Sequence, residues 1–129
     1  MEEELFTATE PIDILAKIPT TFAESIASTK WKERKDALDA FYASANVPRI
    51  VDGNYSETAD LFAKCMKDAN IAVVTVAAQC ITVLANGLRS NFSRYRSAVL
   101  QPILEKLKER KQSVVDALAA ALDAIFNAV

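Results

Sequence analysis

ANIAVVTVAAQCITVLANGL, residues 69–88, runs for twenty positions without a charge. Within it Thr75, Gln79, Thr82 and Asn86 recur at i, i+4, i+7 and i+11, which draws one narrow polar stripe down an otherwise apolar helix. A helix covered on every side but one in a soluble bundle has this pattern. The length would also suit a membrane span. In lipid, however, the stripe would be costly unless other helices covered it, so the buried-helix reading is preferred and no membrane partner is expected.

The composition agrees with helices on either side of this one. Of 129 residues 51% are hydrophobic, 22 are alanine, two are glycine and four are proline, too few turn formers for a sheet protein and enough alanine for long helices. An all-α fold follows. The chain holds no histidine, which removes the commonest general base and the commonest zinc ligand. Cys65 and Cys80 lie fifteen apart, match no metal or redox spacing, and read as small core residues of a reducing compartment. With no glycine-rich phosphate loop either, the expectation is a non-enzyme with no cofactor and no metal.

Charge is unevenly spread. The net value is -2. Glu2, Glu3, Glu4 and Glu10 place four of the seventeen acids in an acidic N-terminal tail at 1–10, so residues 11–129 carry fifteen basic groups against thirteen acidic. Between Arg89 and Lys111 seven basic residues face two acids, Glu105 and Glu109. Such an excess suits an acidic partner, though a solvated helix face gives the same run. The basic loops hold one aromatic and no stacking platform, which argues against nucleic acid.

Connectors divide residues 11–129 into helices. PIDILAKIP (11–19), bounded by prolines, reads as an extended or one-turn lead-in, and TTFAESIA (20–27) as a short helix. WKERKDALDAFYASA (31–45) is the next, capped by Ser28 or Thr29, with Leu38, Phe41, Tyr42 and Ala45 on one face. Asn54 and Glu57 suggest a capping box for a helix to about Lys67, and Asp68 or Asn70 a cap for the uncharged helix, ending near Gly87. Two more helices cover about Tyr95 to Lys108, with Pro102 as a kink or a start, and Ser113 to Asn127. Residues 31–41, 71–81 and 112–122 align at offsets of 40 and 41, setting Arg34 against Val74 and Val115, and Phe41 against Ile81 and Leu122. That is the period of HEAT and armadillo solenoids, here three antiparallel helix pairs at about 20–47, 54–89 and 95–127.

In such a stack the short turns within each pair share one long edge. These turns are STKW (28–31), KDAN (67–70) and KERKQ (108–112), which bring Lys30, Lys67, Lys108, Arg110 and Lys111 into a row led by Trp31. Cations steer an acidic surface and an amphipathic ring anchors it. Position alone leaves Trp31 equally readable as a half-buried staple closing the first turn.

The run PIDILAKIP, then KWKERKDALDA, then KDANIAVVTVAAQCITVLANGLRSNF, then PILEKLKERKQSVVDALAAALDAIF closely resembles a TOG domain of the microtubule polymerases related to the vertebrate colonic and hepatic tumour-overexpressed protein, most like the second domain of such an array. The resemblance covers nearly everything after Thr9 and implies a flat HEAT paddle whose intra-repeat loop edge binds the curved αβ-tubulin heterodimer. On that similarity Trp31, with Lys32 beside it, would contact β-tubulin, Asn70, Ile71 and Ala72 would form the second-turn contact, and Lys108 and Lys111 the third. The family usually has six repeats, so three pairs imply the N-terminal half of a paddle, and turns that look toward α-tubulin in the family are missing. The resemblance also implies a cytoplasmic, cytoskeletal setting at microtubule plus ends, spindle poles, centrosomes and kinetochores. The competing reading is a generic HEAT scaffold fragment of the transport or phosphatase type without tubulin binding. Val115, Leu118, Leu122, Ile125 and Phe126 cover more than one face of the last helix, so self-association through that repeat is a further expectation.

Overall fold

A computed structural model of the chain describes residues 8–128, and Glu2, Glu3 and Glu4 of the acidic tail lie outside them. Six α-helices follow between Phe22 and Asn127: α1 Phe22–Ile26, α2 Trp31–Ala45, α3 Ser56–Cys65, α4 Ile71–Leu88, α5 Arg96–Lys106 and α6 Gln112–Asn127. They form an α-solenoid of three antiparallel HEAT-type pairs. In one layer α4 lies between α2 and α6; in the other α3 packs against α5 and touches α1 more lightly.

The central helix is held as its pattern requires. Twelve of its eighteen residues are buried, including Val73, Val74, Ala77, Cys80, Ile81 and Leu84. Gln79 and Asn86 of the polar stripe are exposed and Thr75 and Thr82 half-buried. Both threonine hydroxyls donate back to carbonyls one turn earlier, of Ile71 at 2.8 Å and Ala78 at 3.1 Å, so the stripe needs no outside partner. Small residues on the buried sides let α2 and α6 approach closely, and the Cys80 thiol donates to the Leu38 carbonyl at 3.2 Å. Burial pushes both thiols up, Cys65 to about 12 and Cys80 further, which suits cysteines acting as core residues.

Aromatic rings join the first three helices. Phe41 meets Phe22 at 5.9 Å and Phe62 edge-on at 5.0 Å between centroids. Leu38, Phe41 and Ala45 are buried as the α2 pattern predicts, while Tyr42 is only half-buried. The lead-in makes a one-turn 3-10 helix, Leu15–Lys17, and Ile12 pairs alongside Ile50 in an isolated parallel bridge. The Tyr95 hydroxyl donates to the Gly53 carbonyl at 2.6 Å and accepts from the Tyr55 N–H at 3.0 Å, fixing the loop between the first two pairs.

Several local expectations shift. The N-cap of α2 is Lys30, which makes no side-chain cap; the Ser28 hydroxyl accepts from the Lys30 N–H at 3.1 Å and donates to Glu33. Asn54 sits one residue too early to cap α3, whose N-cap is Tyr55, and instead accepts from the Ser56 N–H at 3.0 Å in an Asx turn. Gly87 does not end α4. It lies inside the helix with ordinary backbone, because a Cβ there would come within 2.3 Å of Ile50 Cδ1. The C-cap is Arg89, at φ 55°, and a 3-10 stretch Arg89–Tyr95 leads to α5, which carries Pro102 in its interior. On α6, Leu118 and Ile125 are buried, Val115 and Leu122 half-buried, and Phe126 is 51% exposed beneath the Arg96 guanidinium, 4.9 Å from its ring centre.

Candidate protein-binding edge

The three intra-pair turns lie between Ile26 and Trp31, Cys65 and Ile71, and Lys106 and Gln112. Antiparallel pairs stacked side by side must bring them to one edge, and direct contacts tie the first two together there. The Arg34 guanidinium, in the first turn of α2, reaches the second turn as a fork: Nε donates to Asp68 Oδ2 at 2.7 Å and Nη2 to Oδ1 at 3.0 Å. Its Nη1 reaches back to the Ser28 carbonyl at 2.8 Å. Asp68 Oδ1 also accepts from the Asn70 N–H at 2.9 Å, and Asn70 Oδ1 caps α4 by accepting from the Ala72 N–H at 2.9 Å. Burial alone would raise Asp68, but the Arg34 and Asn70 hydrogen bonds, with Lys106 nearby, bring it below the usual carboxylate range. Arg34 is raised in turn, chiefly by its hydrogen bond to Asp68.

Trp31 opens α2 and is 45% exposed, so the indole neither sinks into the core nor stands clear of it. Lys32 beside it is exposed. Asn70, Ile71 and Ala72 are half-buried: Asn70 is occupied by its cap, and Ile71 packs against the core. Lys108 and Lys111 of the third turn are exposed, with Lys67 and Arg110 near them in kind. Lys30 is matched by Glu33 at 4.0 Å and Lys106 by Glu109 at 4.0 Å. Among the described residues no carboxylate lies in ion-pair range of Lys32, Lys67, Lys108, Arg110 or Lys111. The edge therefore offers uncommitted cations around a half-exposed indole, with the uncharged Asn70, Ile71 and Ala72 between them.

Sequence reasoning passed over the Arg34–Asp68 fork. The signal was present in the repeat alignment, where Arg34 occupies a register held by Val74 and Val115 in the other two repeats. A charge in a valine register needs a buried partner, and only the stacked pairs show that it is Asp68. Among the described residues no group of histidine, cysteine, aspartate or glutamate is arranged to hold a metal.

The architecture and its loop edge define an α-solenoid of the HEAT-repeat class. No protein-family model matches the chain. It is 40% identical over 125 residues to the spindle pole body component alp14 of Schizosaccharomyces pombe, covering 96% of this chain and 16% of that protein. A chain solved to explain microtubule plus end tracking by XMAP215, CLIP-170 and EB1 superposes with a TM-score of 0.89 at 37% identity, over 93% of this chain and 51% of that one. Another, solved to explain tubulin recruitment and assembly by microtubule polymerases with tumor overexpressed gene (TOG) domain arrays, gives 0.87 at 41% identity, over 96% of this chain and 27% of that one. In sequence and in fold the chain matches a TOG domain of the microtubule polymerase family. It spans about a sixth of alp14 and about half of the first solved chain.

Proposed function

We propose that the chain binds the αβ-tubulin heterodimer through its loop edge, as part of a protein that promotes microtubule growth in the cytoskeleton, at plus ends and spindle poles. The observation that carries this reading is the half-exposed Trp31 set among uncommitted cations on one edge, in a chain similar over nearly its whole length to a structure solved for tubulin recruitment. Trp31 and Lys32 supply the first contact, Asn70, Ile71 and Ala72 the second, and Lys108 and Lys111 the third. Loop-edge cations speed encounter with an acidic surface, and the indole holds the complex once formed. Such a protein does no covalent chemistry. Its effect is to raise the effective concentration of subunits where several binding modules are tethered together.

The experiment is analytical ultracentrifugation of the chain with unpolymerised tubulin at micromolar concentration and moderate salt. Formation of a faster-sedimenting complex that contains both proteins supports the reading. Independent sedimentation across the accessible range removes it in favour of a generic helical scaffold with another partner. Self-association of the chain, the behaviour expected of α6 with its exposed Phe126, would show as a larger species in a parallel run without tubulin.

A further inference from the structure

We propose that Arg34 and Asp68 are positioning residues for the loop edge: their fork sets the distance between the Trp31 turn and the Asn70–Ala72 turn, and so determines how well both engage one partner. The inference rests on the tubulin-binding reading and adds to it a pair that touches no partner.

The geometry points inward. The two side chains are 17% and 9% exposed, and three guanidinium nitrogens are spent on Asp68 and the Ser28 carbonyl. Each end of the fork lies a few residues from a contact position. Ser28 precedes Trp31 by three residues, and Asp68 precedes Asn70 by two and accepts its N–H. Asn70 in turn fixes the first turn of α4 through Ala72. One continuous chain of hydrogen bonds thus runs from the backbone of the first turn to the backbone of the second.

Packing of α2 on α4 aligns the two helices, and at their N-terminal turns the fork is the side-chain link between them. A solvent-open cleft of about 420 Å³ separates the two turns, lined by Ile26, Ala27, Lys64, Cys65 and Lys67 together with the fork itself. The helices below it, α1 and α3, touch only lightly. A bidentate guanidinium–carboxylate pair has defined length and orientation, which a lysine in the same place lacks. Holding binding groups in place before encounter improves affinity by removing an ordering cost. Cys65, 3% exposed, lines the same cleft beside the fork, so its labelling rate reads whether the fork has opened.

The test uses Arg34→Lys and Asp68→Asn, each alone and combined with Trp31→Ala. Affinity for unpolymerised tubulin is measured beside the circular dichroism spectrum, the emission and anisotropy of Trp31, the one tryptophan of the chain, and the rate of Cys65 labelling located by peptide mass. Each single variant should keep its helical spectrum, weaken binding by about tenfold, lower the Trp31 anisotropy and speed Cys65 labelling. In the Trp31→Ala background the same change should cost less than about twofold, since the fork works through the indole. Two results overturn the proposal: variants that bind like the unmodified chain, or losses that simply add to that of Trp31→Ala. Should Arg34→Lys lose its fold, Asp68→Asn, which keeps the side chain's shape, decides by the same criteria. If both lose it, the pair is a structural support and the positioning role is rejected. Absence of tubulin binding by the unmodified chain removes the functional reading and this one with it. Intact binding with an indifferent fork removes this one alone.

Discussion

Replacing Trp31 by alanine separates anchoring from stapling, because the structure divides the ring between partner and fold. With 45% of the residue exposed, and roughly 250 Å² for a large aromatic side chain, about 110 Å² faces outward. Covering that area at about 25 cal/mol per Å² contributes about 2.8 kcal/mol to a complex, or about a hundredfold in affinity. The hidden remainder, on the order of 140 Å², packs on the fold, but the unfolded chain already shields part of it and alanine keeps the Cβ, so stability should fall by about 2 kcal/mol. Two assays read the two shares. Sedimentation or calorimetric titration with unpolymerised tubulin should show the dissociation constant rising by one to two orders of magnitude, and urea unfolding should show a modest drop in midpoint with an unchanged slope. An affinity within threefold of the unmodified chain, accompanied by a loss of about 3 kcal/mol or more in stability, would refute the reasoning and make Trp31 a staple alone.

Reversing the charge of Lys108 and Lys111, both exposed and outside any ion pair among the described residues, should slow association with tubulin about tenfold at low salt and flatten its salt dependence, as stopped-flow mixing would show. The melting temperature should not move. Gly87→Ala, which by helix propensity alone should gain about 1 kcal/mol, should instead lose about 1–3 kcal/mol in urea unfolding, because the new Cβ would lie 2.3 Å from Ile50 Cδ1 and 2.5 Å from Cγ1. Adding Ile50→Ala should cost less than the sum of the two single changes. With no histidine and both thiols raised by burial, the unfolding free energy from urea titration should stay level between pH 6 and pH 8 to within about 0.5 kcal/mol. Asp68 is lowered from 3.8 in the fold, so the stability it supplies is complete above that value and is lost as pH falls through its lower folded value. Unfolding curves between pH 5 and pH 2 should therefore show an acid-induced loss in the unmodified chain that is smaller in Asp68→Asn.

The helical solenoid was legible in the sequence because its signals are local and periodic. A twenty-residue uncharged run with one polar stripe specifies a helix buried on all sides but one, and α4 is that helix, with Gln79 and Asn86 exposed. Asn70 was one of two residues, with Asp68, readable as the cap, because a cap contacts a backbone N–H two residues on, and it is Asn70 that makes this contact. The offsets of 40 and 41 residues then predict that the three turns share one edge, with Trp31, Lys108 and Lys111 among its residues.

Contacts between repeats were decided only by the tertiary structure. Arg34 and Asp68 are thirty-four residues apart, and periodicity names the face each residue is on without naming its neighbour across the interface. Gly87 looks like a helix terminator, since glycine supplies the left-handed residue at most helix ends. Here Arg89 takes that conformation, and Gly87 is glycine because Ile50 passes too close to admit a side chain. The exposure of Trp31 had the same origin. Its charged neighbours in sequence show that one side of the indole is wet, but how much of the other side is covered depends on the distance between the first turn and its neighbours, which is set by how the pairs pack.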